Sequence, residues 1–279
     1  MNAFAQCFDA CRSASPKWLD VWQCIEDSAM RSICAVAATS AIAPLDLKLR
    51  VLLHLPRFDS THIYNQGLVH EEICRLAKNT VQLQREFSDW SSAEPVSSLD
   101  KAVAHVLETS EAMATIIHER FHYLASNRSG RHFALYFDNK PLPAALATFS
   151  EMDVQKLRPY VPAPDVTKSR LLSRVFAFRW APRNSISYLL GAAIRRIHSE
   201  ESVENFLTWV NPNLGFTASS YRSANWDMCG SEPVTYHYLA ANYLSARQLF
   251  NDRGIKHPQV QFSRWDLDPL QVWKYSVKQ

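Results

Sequence analysis

The spacing of hydrophobic positions divides the chain into a helical first part and a second part that mixes strands with helices. Up to about residue 125, apolar residues recur three and four positions apart, which is typical of amphipathic helices. Pro44, Pro56 and Pro95 separate these segments, and the last segment is predicted to be a helix from Leu99 to Leu124. After the turn sequence Asn127-Arg-Ser-Gly130, short apolar runs predict strands instead.

The second part is predicted to form a sheet with helices packed on it. Its predicted elements, in order, are a hairpin of strands His132–Phe137 and Leu142–Phe149, a strand Leu171–Trp180, a helix from Ser185 to His198, a strand Phe206–Val210, a short helix around Tyr221 and a strand Thr235–Leu239. This order is typical of a mixed sheet flanked by helices. The predicted fold class is therefore α/β (more strictly α+β) after an all-helical region, with domains at 1–110 and 111–279.

The segment from Asn211 to Gly230 places a dense group of polar side chains directly after a predicted strand. The chain breaks at Asn211-Pro212, because the residue before a proline is pushed out of helical space. Ser219 and Ser220 suit the start of a helix, where backbone N–H groups lack partners. Sites in open α/β sheets lie at the carboxyl ends of strands, so this segment is a candidate functional site.

The distribution of charge says more than the overall composition. The chain has 279 residues, 47% of them hydrophobic, so it can bury a substantial core. A net charge of +3 is too small to indicate a nucleic-acid partner by itself. However, the stretch Val166–Ser199 contains several Lys and Arg residues and no Asp or Glu. It predicts a surface that faces an anion, either cofactor phosphates or DNA, with an ordinary solvated basic face as the alternative.

Cysteine usage and the start of the chain indicate a reducing compartment. The six cysteines include no C-x-x-C pair, and their apolar neighbours are typical of packed helix faces rather than of a metal cluster. The first residues lack a basic segment followed by an apolar core, and the longest weakly polar run, Cys34–Ala43, is too short to span a bilayer. We therefore expect a cytoplasmic protein with no membrane contact and no bound metal.

The residues from about His118 to Leu249 resemble the GNAT-like acyltransferases and, within them, the Mom proteins of the phage Mu type. The resemblance rests on His122-Tyr123, the central strand Leu172–Phe178, the helix-opening loop Pro182–Ser187, and Asn211-Pro followed by Tyr221-x-x-x-Asn225-Trp226. Mom proteins modify the exocyclic amine of adenine in duplex DNA, which protects phage DNA from restriction. The resemblance therefore implies a DNA partner and an anti-restriction role.

The resemblance also implies an acyl donor, acetyl-CoA or a related compound, bound across splayed central strands. Its pyrophosphate would meet the N-terminus of the helix after the central strand, where backbone N–H groups and the helix dipole favour an anion. The residues that would hold the donor are Phe178, Arg183, Asn184, Ser185 and Ser187. GNAT enzymes carry glycines in this loop, whereas Ile186 and Tyr188 stand there in this chain. A plain turn capped by Ser185 is the alternative.

The resemblance implies a catalytic set composed of His122, Tyr123, Arg174, Asn211 and Tyr221. His122 is the candidate acid or base at neutral pH, Arg174 a fork for a phosphate or carboxylate, and Tyr221 the proton donor to a leaving thiolate. Mom proteins usually have Asp where Asn211 stands, and an amide cannot be a general base, so Asn211 is expected to orient an amine or a base edge. Substrate-binding roles fall to Ser219, Asn225 and Trp226, with Trp226 either a core residue or a stacking platform.

One further motif points to a different class of enzyme. His118-Glu-Arg-Phe-His122 matches H-E-x-x-H, which on a helix places two histidines around zinc with Glu119 as the general base. Ala125 and Arg128 replace the glycine and third histidine of the extended motif. The sequence thus leaves Mom-type DNA modification, GNAT acyl transfer to a protein or small-molecule amine, a non-catalytic DNA-binding protein and a zinc peptidase. The oligomeric state stays open, a homodimer included.

Overall fold

The structure, a computed structural model, describes residues 88–91, 94–122, 124, 126–138, 140–212, 216–234, 237–239, 242–244, 260–262 and 268–277. Predictions for other parts of the chain, among them the N-terminal helices and the role of Tyr123, lie outside the described residues. The division into domains at 1–110 and 111–279 therefore stays a prediction.

Most of the described strands form one mixed sheet. The strands are β1 (Ala104–Thr109), β2 (Arg131–Phe137), β3 (Ala145–Ser150), β4 (Ser169–Ala177), β5 (Asn205–Val210), β6 (Asp227–Glu232), β7 (His237–Leu239), β8 (Asn242–Leu244), β9 (Gln261–Phe262) and β10 (Leu270–Ser276). The large sheet has the order β1-β2-β3-β4-β5-β10-β6. In it β4 and β5 pair in parallel, whereas β1–β2, β2–β3, β3–β4 and β5–β10 pair antiparallel.

Helices cover both faces of this sheet. They are α1 (Ser88–Ser91), α2 (Glu111–Arg120), α3 (Val154–Leu157), α4 (Ser185–Glu201) and α5 (Ser219–Ser223), with a 3₁₀ helix at Ala163–Lys168. His132 of β2 bonds Glu111 of α2, whereas its neighbour Arg131 bonds Glu201 of α4. Successive strand residues point to opposite faces, so α2 and α4 lie on opposite sides of the sheet. Within the described ranges, no helix is long and apolar enough to cross a membrane.

The position of α4 follows from its apolar residues. Leu189, Leu190, Ala193, Ile194 and Ile197 are buried, and their spacing forms one stripe along the helix. This stripe packs on the sheet strands β1 to β4. Aromatic rings form the core on the same side, where Phe149 lies 6.0 Å from Phe133 and 5.6 Å from Phe206 between ring centroids. Burial of this face holds α4 so that its N-terminus lies at the end of β4.

The predicted mixed sheet with flanking helices is confirmed, and two of its local predictions need correction. The helix predicted from Leu99 to Leu124 is wrong in its first half, because Ala104–Thr109 is the edge strand β1, paired with β2, and only Glu111–Arg120 is helical. The strands β6 and β10 were not predicted from the sequence, and β10 lies in the sheet between β5 and β6. Short apolar runs fit the residue spacing of a helix as well as that of a strand, and pairing with distant strands decides between the two.

A small sheet of order β8-β7-β9 is also described. It belongs to a separate compact unit that includes Asn211 and Phe216, whereas the large sheet and its helices belong to the other unit. The strand predicted from Thr235 to Leu239 is confirmed over His237–Leu239, as β7 of this small sheet.

Candidate active site

The central strands β4 and β5 pair only at their first residues and then separate. Parallel pairing ends with Leu171 opposite Leu207. One further link follows, because the Thr208 hydroxyl donates to the carbonyl of Leu172 at 3.0 Å. Beyond it, among the described residues, Arg174 and the rest of β4 are paired with β3 alone. A gap between the two central strands therefore opens beside Thr208 and Arg174.

An extra residue in β4, Ser173, decides which face of the sheet Arg174 occupies. Thr148 lies opposite Arg174, but the next residue of β3 lies opposite Leu172, so no residue of β3 lies opposite Ser173. Without this β-bulge, strand alternation would place Arg174 on the face that α4 covers. Instead Arg174 continues a row formed by His132 and Thr148 on the face that α2 covers.

Polar side chains from α2, the loop after it and β4 meet on this face, and we call them the histidine cluster. The cluster consists of Glu111, His118, His122, Asn127 and Arg174. His118 and His122 are buried, and their rings meet edge to face with centroids 5.9 Å apart. The cluster thus brings together His122 and Arg174, two members of the predicted catalytic set, and adds three residues to which the sequence assigned no role in this site.

Both imidazoles of the histidine cluster are neutral at physiological pH. Burial lowers the pKa of His118 to about 4; the hydrogen bond that His118 donates to Asn127 opposes this shift, and the charge of Arg174 adds to it. Burial also holds the pKa of His122 well below its ordinary value, and Arg174 and His118 act in the same direction. A low-dielectric surrounding disfavours the charged form. The cluster therefore contains neutral bases beside a permanent cation.

Tyr221 lies in an aromatic group with Trp226 and Tyr275. The ring centroids of Tyr221 and Trp226 are 5.5 Å apart, and those of Trp226 and Tyr275 are 6.1 Å apart. The Tyr221 hydroxyl is hydrogen-bonded to the side chain of Thr208, the residue that bridges β5 to β4. Burial raises the pKa of Tyr221 to about 12, so its hydroxyl stays protonated and is a proton donor at neutral pH.

The histidine cluster and Tyr221 flank the gap from opposite faces of the sheet. Thr208 faces α4, because the β5 residue two positions before it pairs with Arg170, whose guanidinium bonds a glutamate of α4. The histidine cluster faces α2. Of the predicted catalytic set, the structure thus brings His122 and Arg174 together and places Tyr221 across the sheet from them.

The loop between β4 and α4 leaves the first turn of α4 without a side-chain cap. Asn184 adopts the left-handed conformation with φ 67°, and its side chain makes no capping hydrogen bond. The Ser185 hydroxyl donates to the Pro182 carbonyl at 2.7 Å, and the Ser187 hydroxyl donates to the Asn184 carbonyl at 3.0 Å. The alternative of a cap by Ser185 is therefore wrong. Asn tolerates the left-handed region better than most residues, so Asn184 occupies the conformation that glycine would otherwise supply.

Phe178 and Arg183, the other predicted donor-binding residues, differ in their surroundings. Phe178 is buried among aromatic rings, with centroids 5.0 Å from Phe121, 4.9 Å from Phe176 and 5.9 Å from Trp180. Its side chain therefore packs the core. Arg183 is exposed beside the N-terminus of α4 and forms no ion pair with a carboxylate of the described residues, so its guanidinium is open to an anion.

The predicted substrate-binding residues lie around α5 without forming a joint site. Ser219 is exposed at the first position of α5, and Asn225 is exposed in a left-handed conformation with φ 61°. Trp226 is 2% exposed, which places its ring in the core. Asn211 belongs to the other compact unit, and Tyr123 lies outside the described residues, so the roles predicted for them stay predictions.

The acid-free basic stretch is partly neutralised by carboxylates that follow it in the sequence. Its ion pairs join Lys168 with Glu204 at 2.6 Å, Arg170 with Glu201 at 3.0 Å and Arg196 with Glu200 at 3.0 Å. Within the stretch Val166–Ser199, Arg179, Arg183 and Arg195 are exposed and form no ion pair with a described carboxylate. The anion-facing surface is thus smaller than the charge pattern predicts.

The H-E-x-x-H motif does not form one metal-binding face of a helix. The helix α2 ends at Arg120, so His122 lies in the following loop, and Glu119 is exposed while both histidines are buried. Among the residues that the structure describes, no three His, Cys, Asp or Glu side chains are grouped to hold a metal ion. A zinc peptidase needs both histidines and the glutamate at one cation, so this geometry gives that alternative no support.

Sequence reasoning missed Glu111, Asn127 and Thr208. Asn is common in turns and Thr is common in strands, so the residue types of Asn127 and Thr208 did not indicate a functional site. The start of α2 was readable, because Ser110 is a good N-cap residue and its side chain accepts from the Met113 N–H at 3.2 Å. That signal places Glu111 at a helix start, although only the fold shows its partners.

A mixed sheet with splayed parallel strands at its centre, and a helix starting at the end of one of them, defines a GNAT-like fold. Residues 103–271 match the model of the Mom protein family. Because the match covers more than half of the chain, the chain belongs to the Mom protein family. A comparison with curated proteins finds no match.

Similar solved structures include two that are provisionally assigned as acetyltransferases. One, assigned as a phosphinothricin N-acetyltransferase, is 11% identical and has a TM-score of 0.36, with 63% of this chain and 99% of that chain covered. The other, from Sphaerobacter thermophilus DSM 20745, is 7% identical and has a TM-score of 0.32, with 66% of this chain and 100% of that chain covered.

Proposed function

We propose that the protein is a Mom-type transferase that acylates the exocyclic amine of adenine in DNA, with acetyl-CoA or a related thioester as donor. One observation carries the chemistry: the gap between β4 and β5 has neutral imidazoles on one face and a protonated tyrosine, Tyr221, on the other. Acyl transfer to an amine needs a proton acceptor for the amine and a proton donor for the leaving thiolate. Membership of the Mom family supports DNA as the acceptor.

The donor fits the gap by simple backbone chemistry. The side of β4 that faces the gap after Leu172 offers backbone N–H and C=O groups to the amides of an extended pantetheine chain, in the way a strand edge binds a peptide. The uncapped N-terminus of α4 and the exposed Arg183 would hold the pyrophosphate. The thioester then lies between the histidine cluster and Tyr221.

The acceptor imposes a further requirement. An adenine inside a duplex cannot reach a buried gap, so the base must be turned out of the stack before its amine can attack. His118, His122 and Thr208 are buried, and electrostatic interactions with reacting groups are stronger where water is excluded. Exposed Arg179, Arg183 and Arg195 would contribute phosphate contacts and a salt-dependent affinity.

Acyl transfer to an amine of a protein or small molecule is the second candidate. The pairing of Lys168, Arg170 and Arg196 with glutamates favours it, because DNA binding usually relies on a larger unpaired basic surface. Both candidates share the donor and the acid–base chemistry, and they differ only in the acceptor.

Mass spectrometry of nucleosides from DNA of cells that express the chain tests the proposal. We expect an adenine adduct that disappears in Tyr221→Phe and persists in Tyr136→Phe, a matched change on β2 outside the site. Unmodified DNA despite abundant folded protein and available donor would overturn the DNA acceptor. Radiolabelled acyl-CoA offered to proteins and small amines would then decide the second candidate.

A further inference from the structure

We infer that His118 is the proton-accepting base of this site through its Nε2 atom, and that Asn127 and Glu111 hold it in the required tautomer. The proposed function requires one proton acceptor in the histidine cluster and does not decide between His118 and His122, the two histidines of the H-E-x-x-H motif. The inference rests on the proposed function, because a base is needed only where an acceptor amine is deprotonated.

The tautomer follows from the orientation of the Asn127 amide. Its Nδ2 donates to Glu111 Oε1 at 2.6 Å and to Thr115 Oγ1 at 2.9 Å, and a carboxylate can only accept. The amide oxygen therefore faces His118, and it accepts from the His118 Nδ1–H at 2.8 Å. A neutral imidazole with its proton on Nδ1 has its lone pair on Nε2.

The carboxylate of Glu111 is itself held from a second direction. Its other oxygen, Oε2, lies 2.6 Å from His132 Nε2, and His132 Nδ1 lies 2.8 Å from the Thr148 hydroxyl. Glu111 therefore cannot turn away from Asn127 without losing a hydrogen bond to β2. A chain of hydrogen bonds from two strands and one helix thus fixes a single imidazole orientation.

The Nε2 atom of His118 is the feature that the fold leaves unexplained. His118 is 0% exposed, and Nε2 has no hydrogen-bond partner. A buried polar atom without a partner is uncommon and costs free energy. An acceptor amine that enters the cluster would supply the missing partner.

His122 is less suited to accept a proton. Its Nδ1 accepts from the Leu124 N–H at 3.2 Å, so in the neutral form its proton is on Nε2 and its lone pair is already used. The resemblance pointed to His122 as the acid or base. The hydrogen bonds assign the available lone pair to His118, one turn earlier in the chain.

The charges around His118 match it to a particular kind of amine. The titratable and charged groups that face it are Glu111 of α2, His122 of the following loop, His132 of β2 and Arg174 of β4. Burial together with Arg174 makes the imidazole a weak base. A weak base suffices for an amine conjugated to a purine, whose N–H becomes strongly acidic on attack, whereas an aliphatic amine needs a stronger base.

The reaction balances with these groups. The acceptor nitrogen forms a bond to the thioester carbonyl carbon, and the carbon–sulfur bond breaks. The proton of the acceptor nitrogen passes to His118 Nε2, and the leaving thiolate takes the proton of the Tyr221 hydroxyl. Solvent returns the proton from His118 to the Tyr221 oxygen, so the products are an amide and a free thiol.

Nuclear magnetic resonance of the imidazole nitrogens tests the tautomer in the unmodified, full-length protein. With ¹⁵N-labelled histidine, we expect His118 to carry its proton on Nδ1 and to show a bare Nε2 at pH 7. In Asn127→Ala the two tautomers of His118 should mix. A proton on Nε2, or an imidazolium at pH 7, would overturn the inference.

Kinetics of acyl transfer separate this inference from the proposed function. We expect His118→Gln to lower kcat by about 10²-fold or more with little change in KM, and Asn127→Ala to lower it in the same direction. His105→Gln, an exposed histidine on β1 outside the site, should keep the wild-type rate. If the wild type is active and His118→Gln is equally fast, the inference alone fails. If the wild type acylates neither DNA nor another amine, the proposed function fails and the inference fails with it. If His118→Gln does not fold, the kcat of Asn127→Ala and the tautomer of His118 in the wild type decide whether the inference holds.

Discussion

The guanidinium of Arg174 binds both polar oxygens of Ser126. Its Nε donates to the Ser126 carbonyl at 3.1 Å and its Nη2 to the Ser126 hydroxyl at 3.0 Å, while Nη1 donates to the carbonyl of Ser173 at 2.7 Å. Ser126 directly precedes Asn127, whose amide holds His118. Arg174 therefore ties the central strand to the loop that orients the proposed base.

A conservative substitution at this position should therefore be costly. Arg174→Lys keeps the charge but cannot bind Ser126 through two separate nitrogens in a fixed plane. We expect kcat for acyl transfer to fall by about 10-fold or more, because the loop with Asn127 loses its position. Arg170→Lys is the matched control on the same strand, since Arg170 bonds Glu201 on the opposite face. Equal losses in the two variants would contradict this role of Arg174.

The depressed pKa of His118 makes the fold sensitive to acid. The ordinary pKa of the imidazole is 6.5 and its pKa in the folded protein is about 4, so the unfolded chain binds the proton more tightly. Stability from this group is complete above pH 6.5 and is lost as the pH falls towards 4, by about 3 kcal/mol. His122 acts in the same direction. Urea unfolding at pH 7 and pH 4 should show a smaller loss in His118→Gln than in the wild type. The same loss in both proteins would refute this origin.

Gly130 should tolerate no side chain. A Cβ there would clash with the carbonyl oxygen of Phe149, and the backbone has φ 147°, which L side chains rarely adopt. We expect Gly130→Ala to lower the free energy of unfolding by about 3 kcal/mol or more. Gly191→Ala is the control, because it lies within α4 and meets only the end of the Arg195 side chain at 3.5 Å. That change should be neutral or stabilise by up to about 1 kcal/mol. Chemical denaturation of both variants provides the measurement.

The conformation of Asn184, rather than its side chain, should matter at the start of α4. Since its side chain caps nothing, Asn184→Gly should leave both stability and acyl-CoA affinity near the wild-type values. Asn184→Val should cost about 1–2 kcal/mol, because a β-branched residue is strained in the left-handed region. It should also weaken acyl-CoA binding by calorimetry, since the first turn of α4 would shift. Weaker binding in the glycine variant would show that the amide itself contacts the donor.

The parts of the fold that depend on local pattern could be predicted from the sequence. The apolar stripe of α4 and the apolar run of β4 are long enough to fix their type without partners. The edge strand β1 could not be recognised, because its residues also fit a helix and only pairing with β2 selects the strand. β10 lies between β5 and β6 in the sheet, although residues 233–269 separate it from β6 in the sequence. No local pattern encodes pairing over such a distance.

The site was predictable to a lesser degree. His122 and Arg174 were found because they belong to residues that resemble a known family, and the structure brings them together. The face that Arg174 occupies could not be predicted, since it depends on one unpaired residue in β4. Glu111 and Asn127 are ordinary residue types whose meaning comes from hydrogen bonds to distant parts of the chain.

The bulge at Ser173 makes the length of β4 more important than its composition. A different small residue at this position would keep Arg174 on the face of the histidine cluster. Removal of the residue would instead rotate every later side chain of the strand to the other face, as a one-residue slip does in any strand. Insertions and deletions in β4 are therefore far more damaging than substitutions, and variants of this protein can be ranked by strand length before any side chain is compared.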